Sequence, residues 1–128
     1  MSKQVTGVLV DVQNRRVEVK TLDGGLKDYY RVLNCRCFDI VFACIEGREF
    51  SIYCDDEGLL IDSPSISACT KNHGPSLAGN LFITQGNDEG ETISLTSFEI
   101  ELVMRNIKVM IGPRDGKIVA SPCLILDD

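Results

Sequence analysis

The chain has 128 residues, of which 44% are apolar and 25% charged, and its formal net charge is −6. Its length is that of one domain with its own core, and its acidity argues against DNA or RNA partners, because phosphate backbones bind basic surfaces. No segment approaches the roughly 20 apolar residues of a membrane span, and the N-terminus has no signal-peptide pattern. We therefore expect one domain over residues 1–128, located in the cytoplasm and without a nucleic-acid or membrane partner.

The first predicted elements are a hairpin and a helix. Alternating apolar and polar residues indicate strands over 4–12 and 15–22, with a tight turn between them. After a glycine break, residues 26–34 have the spacing of an amphipathic helix, with Arg31 on its polar side. The predicted apolar face of this helix holds Leu26, Tyr29, Tyr30 and Leu33.

The middle of the chain predicts a second hairpin, a loop and a strand. Residues 38–45 and 49–54 are strand-like runs joined by a turn, whereas 63–76 is rich in Ser, Pro, Asn and Gly and indicates a loop. Residues 79–85 indicate a strand in which Phe82 faces away from its two aliphatic neighbours. Phe82 is therefore either a core residue or a stacking platform for a base.

The last third of the chain predicts a helix and a third hairpin. Thr96 and Glu99 form a capping-box pattern that opens a helix ending near residue 106. Strands over 107–111 and 117–126 flank a turn that carries Arg114, a cation that is either solvated or available to a ligand. These elements predict an α+β fold: small antiparallel sheets and two helices in a single compact domain.

The second helix is unusual because two apolar stripes lie on opposite sides of it. A surface helix needs only one such stripe, so the second indicates burial against another part of the chain, another subunit or a ligand. Arg105 falls on the second stripe, where it either extends to solvent or receives an anion or a flat ring. The first stripe holds Ile100, Val103, Met104 and Ile107, and the second holds Leu95, Phe98 and Leu102.

No catalytic constellation is evident. The single histidine, His73, lies in a predicted turn, and the acidic clusters lack the spacing of a calcium loop. The six cysteines lack the paired Cys-x-x-Cys units of a zinc site, and disulfides are not expected in a reducing compartment. We therefore expect buried free thiols, no metal, no cofactor and no enzymatic activity, with a metal site as the less favoured alternative.

Residues 26–107 resemble an uncharacterised domain family common in phages and firmicutes. The shared pattern includes Cys54-Asp55-Asp56-Glu57-Gly58, then Leu77-Ala78-Gly79-Asn80-Leu81-Phe82-Ile83, an acidic loop and Ser94-Leu95-Thr96. Within that neighbourhood the chain is similar to the Thoeris anti-defence sponge proteins of phages and prophages. Those proteins bind cyclic ADP-ribose isomers made by bacterial TIR-domain enzymes and sequester them without cleavage.

The resemblance implies a homodimer or higher homo-oligomer in the cytoplasm of the host bacterium, with the ligand held near the subunit interface by an aromatic residue and arginines. Phe82 matches the aromatic residue and Arg105 the arginine, so that adenine would stack between them. The further candidate ligand-binding residues are Arg114 and Lys71, as cations for the diphosphate, together with Asn80 and Arg31. The alternative is an acidic phage module that inhibits a host protein directly, which the negative charge and the acidic hairpin tips favour.

Overall fold

Three hairpins predicted from alternating residues form the frame of the protein. The structure is a computed structural model that describes residues 4–23, 25–57, 65–114 and 116–128, without the side chain of Arg114. The helices are α1 (Leu26–Leu33) and α2 (Ser97–Arg105). The strands are β1 (Val5–Asp11), β2 (Arg16–Leu22), β3 (Phe38–Ile45), β4 (Arg48–Asp55), β5 (Ile66–Thr70), β6 (Gly74–Ala78), β7 (Leu81–Gly86), β8 (Thr92–Ile93), β9 (Ile107–Arg114) and β10 (Lys117–Leu126).

The strands form two sheets, which confirms the predicted α+β class. The first sheet has the order β2-β1-β7-β4-β3, with the short strand β8 paired to β7. The second has the order β6-β5-β10-β9. Neighbouring strands are antiparallel except β5 and β10, which are parallel. No helix in the described ranges is long and apolar enough to cross a membrane.

The larger core cluster joins the two sheets and α2. It includes Val8 and Ile83 from the first sheet, Leu124 from the second, and Leu102 and Val103 from α2. All five side chains are almost fully buried. Full burial of one such side chain contributes about 1.5–3 kcal/mol to stability, so this cluster determines how the sheets pack.

A second cluster lies on the opposite face of the first sheet, beneath α1. It contains Leu9, Tyr53 and Phe82 from three adjacent strands, together with Tyr29 from the helix. The rings of Tyr29 and Tyr53 are stacked with centroids 4.3 Å apart. Because successive residues of a strand face opposite ways, Ile83 packs toward α2 and its neighbour Phe82 packs toward α1.

The buried face of α1 is not the one predicted. Tyr29, Val32 and Leu33 are buried, whereas Leu26 is 65% exposed and Tyr30 is 38% exposed. The helix is therefore rotated so that Val32 takes the place expected for Tyr30. The Tyr30 ring lies at the helix margin instead, 4.9 Å from the ring of Phe38.

The loop predicted over 63–76 is wrong for its described part. Residues 66–70 and 74–78 are the paired strands β5 and β6, and residues 58–64 lie outside the described ranges. The turn between the strands uses Gly74 with φ of +79°, a conformation that favours glycine. β5 also pairs with β10, and such a contact with the C-terminal strand leaves no local signal in the sequence.

The capping box of α2 is confirmed. The Thr96 hydroxyl accepts a hydrogen bond from Glu99 N, and the Glu99 carboxylate accepts one from Thr96 N. Of the two predicted apolar stripes, Leu102 and Val103 are buried, but Phe98 remains 56% exposed. Part of the second stripe is thus at the surface of the single chain.

Candidate functional site

A groove between α1 and the β1–β2 hairpin brings together two of the predicted ligand residues, Arg31 and Asn80. Its volume is about 350 Å³, and it is lined mostly by polar side chains. α1 covers the middle strands of the first sheet but not the edge strand β2. The uncovered strip beside the helix is the groove.

The register of the hairpin determines which β2 side chains enter this groove. Leu9, which packs beneath α1, is the cross-strand partner of Glu18. Cross-strand partners lie on the same face of a sheet, so Arg16, Glu18 and Lys20 project toward the helix side. All of these residues line the groove. Arg16 and Lys20 are site residues that the sequence interpretation missed. Arg16, Glu18 and Lys20 are every second residue of β2, so the sequence already placed their side chains on one face of that strand.

Three cations converge on the groove of an acidic chain. Its lining holds Arg16, Lys20 and Arg31 against the carboxylates Asp11 and Glu18, and Arg31 is paired with Asp28 beside the groove. Three cations and three carboxylates balance here, whereas the whole chain carries −6. The groove is thus less acidic than the rest of the protein, and its cations can face an anionic ligand.

The groove cations are paired, but weakly. Arg16 Nε lies 3.5 Å from a Glu18 carboxylate oxygen, and Lys20 Nζ lies 3.5 Å from the same carboxylate. Arg31 makes a closer contact of 2.7 Å with Asp28. The side chains of Arg16 and Arg31 are 61% and 71% exposed. Exposed pairs of this kind contribute about 0–1 kcal/mol, so an anion can replace them at little cost.

Asp11 is held as a carboxylate at one end of the groove. Asn14 donates two hydrogen bonds to it, from its backbone N at 3.1 Å and from Nδ2 at 2.7 Å. Burial alone raises the pKa of Asp11, but the hydrogen bonds from Asn14 and the charge of Arg16 outweigh it and lower the pKa below the ordinary value. Asp11 therefore stabilises the turn and carries no proton to donate at neutral pH.

Asn80 closes the same end of the groove as a structural bridge. Its Oδ1 accepts a hydrogen bond of 3.0 Å from Val12 N, and its Nδ2 donates one of 2.9 Å to the carbonyl oxygen of Val32. The side chain is buried and links the end of β1 to α1. Each end of the amide can form one more hydrogen bond, but its first role is to set the distance between helix and hairpin.

The expected sandwich of adenine between Phe82 and Arg105 does not fit the structure. Phe82 has no exposed surface, and its ring meets the edge of the Tyr29 ring at 6.0 Å. It packs toward α1, whereas α2, which carries Arg105, packs on the other face of the first sheet. The cause is the position of β7, an inner strand whose two faces are both covered, so that its aromatic residue lies in the core.

Arg105 and Lys71 lie around a different group, the exposed carboxylate of Glu46. Arg105 Nε and Nη2 each donate a hydrogen bond of 2.8 Å to Glu46. These bonds, with further contributions from Asn106 and from the charge of Lys71, lower the pKa of Glu46 to about 2. Arg105 is therefore paired within the chain, away from the groove, and the charge of Lys71 acts on the same carboxylate. The side chain of Arg114 lies outside the described part of the structure.

The cysteines are less buried than expected. Cys54 and Cys123 are buried, but Cys37 and Cys44 are exposed, so the prediction of buried thiols is wrong for those two. The Cys123 thiol lies 3.3 Å from the sulfur of Cys69, and burial first, then this contact, raises its pKa to about 12. Cys37 and Asp56, which are exposed, and Glu57, which is half-buried, bring three ligand-type atoms within 4.8 Å of one another. Exposed acidic groups often reach such an arrangement without a metal.

Comparison with known proteins gives one family. Residues 5–108 match the family described as Domain of unknown function (DUF3846). The match covers most of the chain and includes β1, β2 and α1, so every lining residue of the groove lies within it. No curated protein and no solved structure matches the chain.

Proposed function

We propose that the chain, which belongs to the DUF3846 family, binds a small anionic nucleotide in the groove between α1 and the β1–β2 hairpin. The observation that carries the proposal is the convergence of Arg16, Lys20 and Arg31 on one groove of an acidic protein. Guanidinium groups recognise phosphate through paired, charge-assisted hydrogen bonds. Leu9 and Val32, both almost fully buried, form the apolar part of the groove wall.

The ligand that fits this proposal best is a cyclic ADP-ribose isomer, held without cleavage. Its diphosphate would replace the carboxylate partners of Arg16 and Arg31, and Lys20 would add a third charge. Support for this ligand comes from the motif similarity to phage and prophage anti-defence sponges. In that role the protein would act in the cytoplasm of the host bacterium and block TIR-dependent immunity.

Sequestration rather than catalysis is supported by the groove carboxylates. Asp11 is held ionised by Asn14 and Arg16, which suits a fixed charge and not a proton donor. The single histidine of the sequence, His73, lies in the β5–β6 turn with its side chain 77% exposed. It pairs there with Asp128, away from the groove.

Titration calorimetry with cyclic ADP-ribose tests the proposal. We expect Arg16→Ala and Arg31→Ala each to weaken binding about tenfold or more, since a hydrogen bond to a charged group contributes about 1.5–3 kcal/mol. Arg105→Ala is the matched control, because Arg105 lies on the far side of the first sheet and should leave affinity unchanged. Absence of binding by the wild-type protein, or loss of binding in the control alone, would overturn the proposal.

A second candidate function is direct inhibition of a host protein by this acidic chain. The observation that favours it is the exposure of large apolar side chains, including Phe42 at 66% and Ile111 at 75%. Capture of one host protein from a lysate with the same yield in the presence and absence of cyclic ADP-ribose would support this alternative. A yield that falls with nucleotide would connect the two functions.

A further inference from the structure

Two cysteines of the second sheet bring their sulfur atoms into contact. Cys123, on β10, donates a hydrogen bond of 3.3 Å from its thiol to the sulfur of Cys69, on β5. The two residues are 54 positions apart in sequence, so it is the fold that brings them together. Both are free thiols. A covalent S–S bond is about 2.0 Å long, so the two sulfurs need to approach by only about 1.3 Å to form one.

The two thiols differ in access and in acidity. Their neighbours Ala68 and Leu124 are register partners in the larger core cluster, so Cys69 and Cys123 lie on the opposite face of the second sheet. Cys123 is fully buried, whereas Cys69 is half-buried and can be reached by a small oxidant. Burial and the contact with Cys69 raise the pKa of Cys123 to about 12, which keeps it protonated at neutral pH. Because the thiolate is the reactive form of cysteine, Cys69 is the thiol that reacts first.

Ser67 places an unused hydroxyl on the same face. It lies two residues before Cys69 on β5, and the parallel register sets it beside Cys123, one residue before the Ala68–Leu124 pair on both strands. Ser67 is fully buried, and its Oγ has no hydrogen-bond partner in the described part of the chain. Buried hydroxyls are usually satisfied. This one is a donor from which an oxygen atom bonded to the Cys69 sulfur can accept a hydrogen bond.

We propose that Cys69 and Cys123 form a redox modification site, in which a peroxide oxidises Cys69 and Cys123 then closes a reversible disulfide. The Cys69 thiolate attacks one oxygen of hydrogen peroxide, the O–O bond breaks, and a sulfenic acid and hydroxide form. The sulfur of Cys123 next attacks the Cys69 sulfur and the S–O bond breaks. The departing hydroxide takes the Cys123 proton and leaves as water. In total the two thiols lose two electrons and two protons, and the peroxide is reduced to two molecules of water.

The disulfide would fasten the β5–β6 hairpin to the rest of the second sheet. That hairpin joins the sheet through the pairing of β5 with β10, which holds three residue pairs from Ala68–Leu124 to Thr70–Leu126. Disulfides in cytosolic proteins are typically transient and redox-sensing, so free thiols are the resting state of this site. Neither cysteine lines the groove. The proposal is therefore independent of nucleotide binding, and its failure would leave the proposed function untouched.

Peroxide treatment followed by peptide mass spectrometry tests this site. The reduced protein is exposed to hydrogen peroxide, its remaining thiols are alkylated, and it is digested without reductant. We expect a linked pair of peptides that joins Cys69 to Cys123 and that disappears on treatment with dithiothreitol. The same oxidation in urea should give at least about tenfold less of this link, because the unfolded chain must first close a long loop.

Three variants separate the steps of the two sulfurs. Cys123→Ser should stop at the sulfenic acid of Cys69, which dimedone traps as an adduct, whereas Cys69→Ser should give neither the link nor an adduct on Cys123. Cys44→Ser is the control, because it removes an exposed thiol on β3 and should form the link as the wild type does. Both thiols still free in the peroxide-treated wild type, a link equally abundant in urea, or an adduct on Cys123 in place of Cys69 would overturn the proposal.

Discussion

The guanidinium of Arg105 is fixed on the carboxylate of Glu46 by two hydrogen bonds of 2.8 Å each. Glu46 lies in the β3–β4 turn with φ of 51°, a left-handed conformation that is uncommon for a residue other than glycine. The pair joins this turn to the end of α2. The sequence alone predicts Arg105 as a ligand-binding residue, but in the structure its guanidinium is paired with a carboxylate of the same chain.

Arg105→Ala should raise the pKa of Glu46 from about 2 toward its ordinary value of 4.5, because the hydrogen bonds of Arg105 are the main cause of the low value. The folded-state pKa is depressed, so the pair stabilises the fold above about pH 4.5, and this stabilisation is lost as the pH falls toward 2. NMR titration of the Glu46 carboxyl measures both values. Arg105→Lys keeps the charge but loses the planar guanidinium that donates two hydrogen bonds, so it should give an intermediate pKa of Glu46. A pKa of Glu46 near 4.5 in the wild-type protein would contradict the pairing.

Phe82→Ala should lower the free energy of unfolding by about 3–5 kcal/mol, because it leaves a cavity between α1 and the first sheet. Urea denaturation measures the loss, and Phe82→Leu should cost less since it fills part of the space. Binding by the folded fraction should be unchanged. If stability were unchanged and nucleotide binding were lost, Phe82 would be a stacking platform for the base and not a core residue.

Gly7→Ala should also destabilise the protein, since there is no room for a side chain at this position. An added Cβ would lie 2.3 Å from the carbonyl oxygen of Ile83 and 3.0 Å from Cζ of Phe82. Relief of this overlap requires a shift of backbone, so we expect a loss of about 1–3 kcal/mol by thermal or urea unfolding. Gly112→Ala is the control, because no atom lies within 4 Å of its added Cβ, and its stability should stay within about 0.5 kcal/mol of wild type.

Asn80→Ala should lower the stability of the fold and loosen the packing of α1 beside the groove. The substitution removes the hydrogen bonds to Val12 N and Val32 O, and a typical bond of this kind contributes about 0.5–1.5 kcal/mol. We expect a lower melting temperature and a looser contact of α1 with β1, seen as faster amide exchange of α1. Asn80→Asp keeps the acceptor for Val12 N but loses the donor to Val32 O. A melting temperature equal to that of the wild type in both variants would show that Asn80 does not stabilise the contact between β1 and α1.

Local signals in the sequence were enough for most of the elements. Thr96 and Glu99 are three residues apart and make their own hydrogen bonds, so the start of α2 could be predicted without knowledge of the rest of the fold. The same holds for the hairpins β1–β2, β3–β4 and β9–β10, whose alternation and turns are contained in short segments. The β5–β6 hairpin was missed because turn-type residues such as Ser67 and Pro75 are in strands here, and β5 is paired to the distant β10.

The candidate site required the assembled structure. The alternation of side chains along a strand predicts that Phe82 faces away from Leu81 and Ile83. Only the position of α1 shows that both faces of β7 are covered. Arg16 and Arg31 belong to different elements, and both line one groove because α1 lies beside the β1–β2 hairpin. Likewise, the partner of Arg105 is 59 residues away in sequence, and no local pattern reveals it.

The most direct test of nucleotide sequestration is to recover the bound molecule. The purified protein is incubated with cyclic ADP-ribose, separated from free ligand by gel filtration, heated to unfold it, and the released molecule is identified by mass spectrometry. We predict intact cyclic ADP-ribose in the wild-type eluate and a strongly reduced amount from the Arg16→Ala, Arg31→Ala double variant. Recovery of none from the wild type, of a cleaved product, or of equal amounts from both proteins would contradict binding in this groove.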